Sequence, residues 1–504
     1  MVTKEKLFVL GRGEGAVRVM GTARKMGLVT AAAFTPDDEG SLHVSVADEA
    51  YPIESYSDIE GNVKVAKRNG VTMIHPVWGP ASENPKLASA CKKANIVFVG
   101  PSARSMRKAG HKERIKEVAD DVGVPRTVST PPRIKIKRIP GWAKRNGLSE
   151  GMPMILKAAT AGGGNGNQVV SNLRELYPAI ENVKRRVGRQ GGGSNRVYME
   201  HYLKDVRHVE VQVIGDQYGN LVGFGDRDST IQYLYQKLAE EGPAPFLTSE
   251  QHMLLQGYAL RIGNAIGYSS AGTVEFLMTP EGEIYFMEFN PRLQVEHGVT
   301  ELITGYDLVE LQIRIAQGER LPFRQEDIKF DGVAIEARVN AQTINPQDPK
   351  KLIASGGVVE HVIFPEGEGI RVDHSLYDGY EMNLNYNPTQ AKVIAWAPSR
   401  QEAIERLKDA LGKFVIEGVK TNIPLLLVAL SHPKFLNGEH KTTFFAETLE
   451  EMEKAGVIGV AVALGLKEWQ RQEKVSALPT SGDIWRQAGR LGQVNRGLNF
   501  RARR

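Results

Sequence analysis

Residues 272–297 constrain the fold more than any other part of this sequence. Two runs of alternating polar and apolar residues flank a turn at residues 279–282, which predicts an antiparallel hairpin. A symmetric four-residue turn places Glu275 opposite Phe286. Glu288 then shares the face of Glu275 one diagonal step away, at roughly 7–8 Å.

Asn290 continues the face that carries Glu275 and Glu288. Two buried carboxylates beside an amide are costly unless a hard cation neutralises them. The hairpin therefore predicts a site for Mg²⁺ or Mn²⁺ with these three ligands, while a solvated polar sheet face remains the alternative. Beyond it, Arg292, Gln294 and Glu296 alternate and carry a cation, an amide and a base.

The first strand, turn and helix read as the start of an open parallel α/β sheet. The turn Gly11-x-Gly13-x-x-Ala16, with Asp37 about twenty residues on, fits a loose dinucleotide fingerprint. A purely structural turn is the other interpretation, and Glu14 favours it because an acid at the helix N-terminus opposes a pyrophosphate.

The expected fold class is α/β, with an N-terminal Rossmann-like parallel-sheet domain, a mobile lid domain and a larger C-terminal α+β domain. The expected divisions are 1–103 for the N-terminal domain, 104–126 for a helical connector, 127–204 for the lid with a basic insertion at 131–151, 205–450 for the C-terminal domain and 451–504 for a tail.

A glycine-rich loop follows the strand that ends at Lys157. It is not a P-loop, because a Walker lysine follows the last glycine. Glycines without Cβ atoms let backbone N–H groups approach phosphates, so Gly162, Gly163, Gly164 and Gly166 predict a phosphate lid, with a flexible linker as the alternative.

The strand at residues 208–213 places His208, Glu210 and Gln212 on one face. His208-x-Glu210 could belong to a zinc deaminase, but no Pro-Cys-x-x-Cys accompanies it. We expect His208 to lie near a nucleotide.

Composition excludes several classes of protein. Cys91 is the single cysteine, which excludes an internal disulfide and fits a reducing cytoplasm. The longest apolar run, 457–466, is about half of the ~20 residues that span a bilayer, so no membrane segment is expected. The net charge of the chain, +5, equals the net charge of residues 481–504, so the rest of the chain is neutral. Nucleic-acid binding is not expected, because the sequence lacks a basic face with interleaved aromatic residues. The cationic segment 131–145 reads as a solvated loop.

Three long motifs now carry a resemblance. They are Glu275 with Glu288-x-Asn290-x-Arg292-x-Gln294-Val295-Glu296-His297, Gly225-Asp-Arg-Asp-Ser-Thr-Ile-Gln232, and Gln236-Lys237-x-x-Glu240-Glu241. Together with Ala334-x-Glu336-x-Arg338-x-Asn340, they closely resemble the biotin carboxylase component of the acyl-CoA and pyruvate carboxylases, within the ATP-grasp superfamily. The resemblance covers about residues 5–447.

The resemblance implies a two-step reaction. MgATP and bicarbonate give carboxyphosphate and ADP, and the carboxyl group then passes to N1 of biotin on a separate carrier protein. For the nucleotide it implies phosphate contacts from Lys112 and Lys157 and an adenine-binding hinge at Glu200, His201 and Leu203. His208 and Gln232 are expected close to the nucleotide. The implied metal ligands are Glu275, Glu288 and Asn290. For the chemistry it implies bicarbonate binding by Arg292, Gln294 and the Val295 amide, the base Glu296, Lys237 on phosphate, and Arg338 on the biotin enolate.

The implied partners are a biotin carboxyl carrier protein and a carboxyltransferase subunit, in a homodimer or a larger hetero-complex. No Met-Lys dipeptide occurs in the sequence, so biotin is expected on another polypeptide. The tail is read either as a partner dock or as a disordered basic end. Two other functions stay open: a degenerate structural subunit, and an ATP-grasp ligase with a non-biotin acceptor, which Trp78 and Tyr235 favour because the family usually has other residues there.

Overall fold

The computed structural model describes residues 5–158, 167–189, 197–345, 348 and 351–448. The predicted phosphate lid (Gly162, Gly163, Gly164 and Gly166) and the predicted docking tail (451–504) lie outside these residues. The structure confirms the predicted α/β fold class, with a parallel N-terminal sheet, a small antiparallel sheet and a larger antiparallel C-terminal sheet. The mobility of the lid stays a prediction, as do the domain boundaries.

The N-terminal sheet has five parallel strands in the order β3-β2-β1-β4-β5. The strands are β1 (Lys6–Val9), β2 (Val29–Phe34), β3 (Glu49–Pro52), β4 (Met73–His75) and β5 (Val97–Phe98). The helices are α1 (Gly13–Lys25), α2 (Leu42–Ser45), α3 (Ile59–Arg68) and α4 (Pro85–Ala94). This is the strand order of the doubly wound α/β fold.

The turn between β1 and α1 joins two parts of the molecule. Gly13 has a φ of +64°, which a glycine adopts without strain. Glu14, in the first turn of α1, is buried and lies 3.4 Å from Nζ of Lys392 in the C-terminal sheet. The turn therefore holds the carboxylate of Glu14 at a domain contact, which supports the structural interpretation over a dinucleotide site.

Two helices connect this domain to a small antiparallel sheet of order β7-β6-β8. The elements are α5 (Ala103–Ala109), α6 (Lys112–Asp121), α7 (Ile139–Arg145), β6 (Met154–Ala158), β7 (Gln168–Val170), α8 (Leu173–Arg189) and β8 (Val197–His201). The basic segment, predicted as a solvated loop, contains α7. The apolar residues Ile139, Trp142 and Ala143 enter the core of the small sheet while the neighbouring cations stay exposed.

The third sheet has eight antiparallel strands in the order β13-β12-β9-β10-β11-β14-β19-β18. The strands from here on are β9 (Arg207–Gly215), β10 (Leu221–Tyr233), β11 (Gln236–Gly242), β12 (Ser270–Met278), β13 (Ile284–Asn290), β14 (Val333–Asn340), β15 (Gln342–Ile344), β16 (Leu352–Ala354), β17 (Val362–Ile363), β18 (Ile370–His374), β19 (Thr389–Ala397) and β20 (Val415–Ile416). The helices are α9 (Ser249–Ile266), α10 (His297–Thr304), α11 (Leu308–Ala316), α12 (Arg400–Lys413), α13 (Ile423–Ser431) and α14 (Pro433–Leu436).

The two faces of β9 explain where the polar site lies. Val209, Val211 and Val213 share a buried apolar cluster with Leu255 and Ala259 of α9. Because side chains alternate along a strand, His208, Glu210 and Gln212 point to the other face, as predicted. Among the described residues, no helix combines the length and apolarity needed to cross a membrane.

Candidate active site

The predicted hairpin is present, but the predicted register was wrong. Glu275 of β12 pairs directly with Glu288 of β13, and Asn290 pairs with Thr273. Thr279 and Glu283 close the turn, which leaves three residues in the loop, and a bulge follows Glu275. These two shifts bring the carboxylates directly opposite each other, closer than the predicted diagonal.

Glu275 is the centre of a set of short contacts. Its carboxylate accepts hydrogen bonds from His208 Nε2 at 2.8 Å, Asn290 Nδ2 at 2.8 Å and Gln294 Nε2 at 3.1 Å, and Lys237 Nζ lies 3.3 Å away. Burial alone would raise the pKa of Glu275, but Lys237 and His208 outweigh it and lower the pKa. Glu275 is therefore a carboxylate at neutral pH.

Glu288 is paired with one of the two predicted phosphate lysines. Nζ of Lys112, at the start of α6, lies 3.0 Å from its carboxylate. Burial opposes ionisation of Glu288, yet the charge of Lys112 lowers its pKa below the usual range. The two hairpin carboxylates thus share one polar face with two lysines, Lys112 and Lys237.

The second predicted phosphate lysine meets the predicted hinge. The buried carboxylate of Glu200, on β8, forms ion pairs with Lys157 of β6 and with Lys116 of α6. Burial would raise the pKa of Glu200, but Lys116 and Lys157 lower it strongly. The next residue, His201, contacts the backbone carbonyl of Asn146 through Nε2 at 2.9 Å.

The predicted base lies between two predicted substrate cations. Glu296 is fully buried, with Lys237 Nζ at 2.6 Å and Arg338 Nη2 at 3.0 Å. Burial would raise its pKa, but the charges of Lys237, Arg338 and Arg227 hold the pKa of Glu296 well below its usual range. The group is ionised and can accept a proton.

The residues between the hairpin and Glu296 form the remaining wall. Arg292 donates to Gln294 Oε1 at 3.0 Å and forms a 2.6 Å ion pair with Glu83 of the N-terminal domain. The carbonyl of Val295 accepts from Lys392 Nζ at 2.7 Å. Gln232, also predicted, donates to Nδ1 of His208 at 2.7 Å, and Leu203 lies two residues beyond the end of β8.

Sequence reasoning missed a fully buried guanidinium under the site. Arg227 bonds Glu210 at 2.7 Å, Gln212 at 3.0 Å and Thr300 at 2.8 Å, and Glu210 in turn lies 2.6 Å from Lys237. The alternation of His208, Glu210 and Gln212 indicates this polar face. The sequence signal for Arg227 is that a buried acid such as Glu210 requires a nearby cation.

A second missed group lies behind Arg338. Glu240 forms an ion pair with Arg338 and pairs across the strands with Glu336, which is fully buried and has neither carboxylate oxygen hydrogen-bonded among the described residues. Burial raises the pKa of both carboxyl groups, that of Glu336 well above its usual range. The alternation of Glu336 with Arg338 was the available signal.

Trp78, noted in the sequence as a departure, lies at the edge of this charged region. Nζ of Lys392 lies 5.1 Å from the centre of its ring, and the ring of His297 is 5.8 Å away. A Cβ on Gly15 would lie 2.3 Å from the Trp78 ring, so this glycine allows the tryptophan to pack against α1.

The family models match three consecutive parts of the chain. Residues 3–106 match the model "Biotin carboxylase, N-terminal domain", residues 103–324 match "Carbamoyl-phosphate synthase L chain, ATP binding domain", and residues 336–447 match "Biotin carboxylase C-terminal domain".

Two relatives and one solved structure are similar over most of their length. Biotin carboxylase 1 of Bacillus subtilis (strain 168) is 41% identical, over 89% of this chain and 99% of its own. The 2-oxoglutarate carboxylase small subunit of Hydrogenobacter thermophilus is 40% identical, over 88% of this chain and 93% of its own length. One solved structure is the biotin carboxylase domain dimer of the Hydrogenobacter thermophilus 2-oxoglutarate carboxylase, crystallised in complex with MgADP, ADP and bicarbonate. It superposes on this chain with a TM-score of 0.84 at 38% identity, and the match covers 90% of this chain and 98% of that structure's chain. With all three domain models matched and this identity sustained across nearly the whole of both chains, the protein belongs to the biotin carboxylase family of ATP-grasp enzymes.

Proposed function

We propose that this chain catalyses the ATP- and bicarbonate-dependent carboxylation of biotin on a separate carrier protein, as the biotin carboxylase subunit of a multi-subunit carboxylase. The observation that carries the proposal is the position of Glu296, a buried carboxylate 2.6 Å from Lys237 and 3.0 Å from Arg338. A base between two cations suits a reaction in which an anion is deprotonated and a second anion develops beside it.

The oxygen atoms of Glu275, Glu288 and Asn290 fit a hard divalent cation. Two carboxylates directly opposite each other, next to an amide, are the ligands that Mg²⁺ or Mn²⁺ accepts together with nucleotide phosphates. Such an ion supplies charge neutralisation to the phosphates of ATP. Lys112 and Lys157 lie beside this group, and we assign both to phosphate binding.

Bicarbonate fits the wall formed by Arg292, Gln294 and the amide of Val295. A guanidinium and two N–H donors match its planar, anionic oxygens. Glu296 then takes the bicarbonate proton, and the resulting carbonate oxygen attacks the γ-phosphorus to give carboxyphosphate and ADP. Lys237 lies next to Glu296 and stabilises the negative charge of the transferred phosphoryl group.

We assign Arg338 to the binding of biotin, the acceptor of the carboxyl group. Carboxyphosphate gives up its carboxyl group and releases phosphate, and this phosphate takes the proton that N1 of biotin loses. The negative charge that develops on the ureido oxygen is stabilised by the fixed guanidinium of Arg338. Glu200, His201 and Leu203 form the proposed adenine hinge, with Gln232 and His208 close to the nucleotide. The glycine loop keeps its predicted role over the phosphates.

The proposed partners are a biotin carboxyl carrier protein and a carboxyltransferase subunit. The similarity to a protein named as the small subunit of 2-oxoglutarate carboxylase supports a subunit role. The similarity to a domain crystallised as a dimer supports a homodimer within the larger complex.

One assay separates this function from the alternatives. We expect bicarbonate-dependent ADP release that rises when free biotin is added. A degenerate structural subunit would release no ADP, and a ligase with another acceptor would not respond to biotin. The complete set of ionised site residues, Glu275, Glu288, Arg292, Glu296 and Arg338, favours an active enzyme.

Replacing Glu288 with Gln should weaken the binding of Mg²⁺, because one of two opposed carboxylates is lost. We expect lower turnover that excess Mg²⁺ partly restores, measured as ADP release across a Mg²⁺ titration. Glu283→Gln, on an exposed part of the same hairpin, is the control. A Mg²⁺ dependence identical to that of the parent would remove Glu288 from the metal site.

A further inference from the structure

A pocket of about 200 Å³ opens next to the proposed transfer site. It is lined by Gln236, Ala341, Gln342, Leu352, Ala354, Met382, Asn383, Leu384, Tyr386, Pro388 and Gln390. Gln236 directly precedes Lys237 on β11, and Ala341 and Gln342 follow β14, the strand that carries Arg338. The pocket therefore lies where the strands that carry Lys237 and Arg338 end, and Gln342 Nε2 donates to Gln236 Oε1 there at 2.9 Å.

The chemistry of the pocket differs sharply from that of the site beside it. All of its lining residues are uncharged, whereas Lys237, Arg338, Glu240 and Glu296 crowd the neighbouring space. Amides at Gln236 and three other positions alternate with apolar side chains. Such a lining suits a neutral group with an apolar body and few hydrogen-bonding atoms.

The size of the pocket suits one part of a ligand. Sites that enclose a whole small molecule have volumes of ~300–1,000 Å³, and this pocket is smaller. A slender chain extending from a ring held near Arg338 would fit these dimensions.

Large apolar side chains are exposed around the pocket. Leu384 is 55% exposed, Leu234 45% and Tyr235 49%. Leu384 lines the pocket, and Tyr235 directly precedes a second lining residue, Gln236. We call these three residues the apolar rim.

The loop that carries Leu234 and Tyr235 is strained. It is a two-residue hairpin loop between Tyr233 and Gln236, and its residues have φ values of 51° and 66°. Such loops favour Asn-Gly, because left-handed backbone is costly for other residues. Backbone strain and exposed apolar side chains are both typical of surfaces that bind another molecule, so this loop is a candidate contact surface for a partner protein.

We propose that the pocket holds the tethering arm of the acceptor and that the apolar rim contacts the body of the protein that carries it. This inference rests on the proposed function, which places the reacting ring at Arg338. The arm of a biotinylated lysine consists of two alkyl chains joined by an amide. It is neutral throughout, which matches the uncharged pocket, and it must leave the site along a path continuous with Arg338.

The rim is tested with the full-length chain carrying Leu234→Gln, because Leu234 belongs to the rim and does not line the pocket. The acceptors are free biotin and the biotinylated carrier protein of the source organism. We expect KM for the carrier to rise about tenfold or more, the effect of losing contacts at an interface, while kcat/KM for free biotin stays within about twofold. Leu254→Gln is the matched control, because Leu254 is 43% exposed on α9, which packs on the opposite face of the sheet.

The pocket is tested with Ala354→Phe, which fills part of its volume. We expect a raised KM for biotinyl-lysine, a probe that has the complete arm and no protein. The inference is overturned if the rim variant has the same KM for the carrier protein as Leu254→Gln, and the pocket variant has the same KM for biotinyl-lysine as Leu254→Gln. Failure of the proposed function looks different: the parent protein would then carboxylate none of the three acceptors.

Discussion

Replacing Glu296 with Gln removes bicarbonate-dependent ATP cleavage and leaves MgATP binding nearly intact. The carboxylate is the proposed acceptor of the bicarbonate proton, and a positioned base contributes about 10² to 10⁴ in rate. Lys237 and Arg338 hold it ionised, whereas the amide of glutamine accepts no proton. ADP release with and without bicarbonate measures the loss, and fluorescent-nucleotide displacement measures binding.

Two results decide whether Glu296 has this role. The variant Glu250→Gln, on α9 at the opposite face of the sheet, should keep the parent rate. Loss of MgATP affinity in Glu296→Gln equal to the loss of turnover would make Glu296 a nucleotide-binding or structural residue. A turnover that stays within tenfold of the parent would also exclude it as the base.

Local patterns predicted the elements of this fold because each pattern reports one element's own environment. The β1–α1 turn and the polar face of β9 follow from glycine conformation and from alternation, and both are present. The basic segment was misjudged for the same reason. Its charges indicated a loop, and only the packing of Ile139 and Trp142 into the small sheet shows that it contains a helix.

The site was harder to predict, because it depends on pairs that are distant in sequence. The hairpin register moved when a three-residue loop and a bulge replaced the assumed symmetric turn, and no composition signal marks a bulge. Glu14 and Lys392 meet across two domains, and Glu240 and Glu336 meet across two strands. Alternation placed such residues on a face, but only tertiary structure shows which of them touch.

The same distant pairing gives the largest expected effect on stability. Arg227 is fully buried and bonds Glu210, Gln212, Thr273 and Thr300, so it joins three strands to α10. Replacing Arg227 with Met leaves the buried carboxylate of Glu210 with Lys237 as its one remaining cation within the described part of the chain. Breaking a buried pair in this way typically costs ~3–5 kcal/mol. We expect an unfolding transition at markedly lower denaturant concentration, followed by circular dichroism.

An exposed ion pair with the same substitution provides the comparison. Arg314 is 44% exposed and pairs with Glu310, so Arg314→Met should cost at most about 1 kcal/mol. Adding Glu210→Gln to Arg227→Met should restore part of the lost stability, because the uncompensated carboxylate disappears with its partner. If the two substitutions are instead additive, or if Arg227→Met is no worse than Arg314→Met, the free energy of this region comes from its apolar packing and the buried pair serves only to position Lys237.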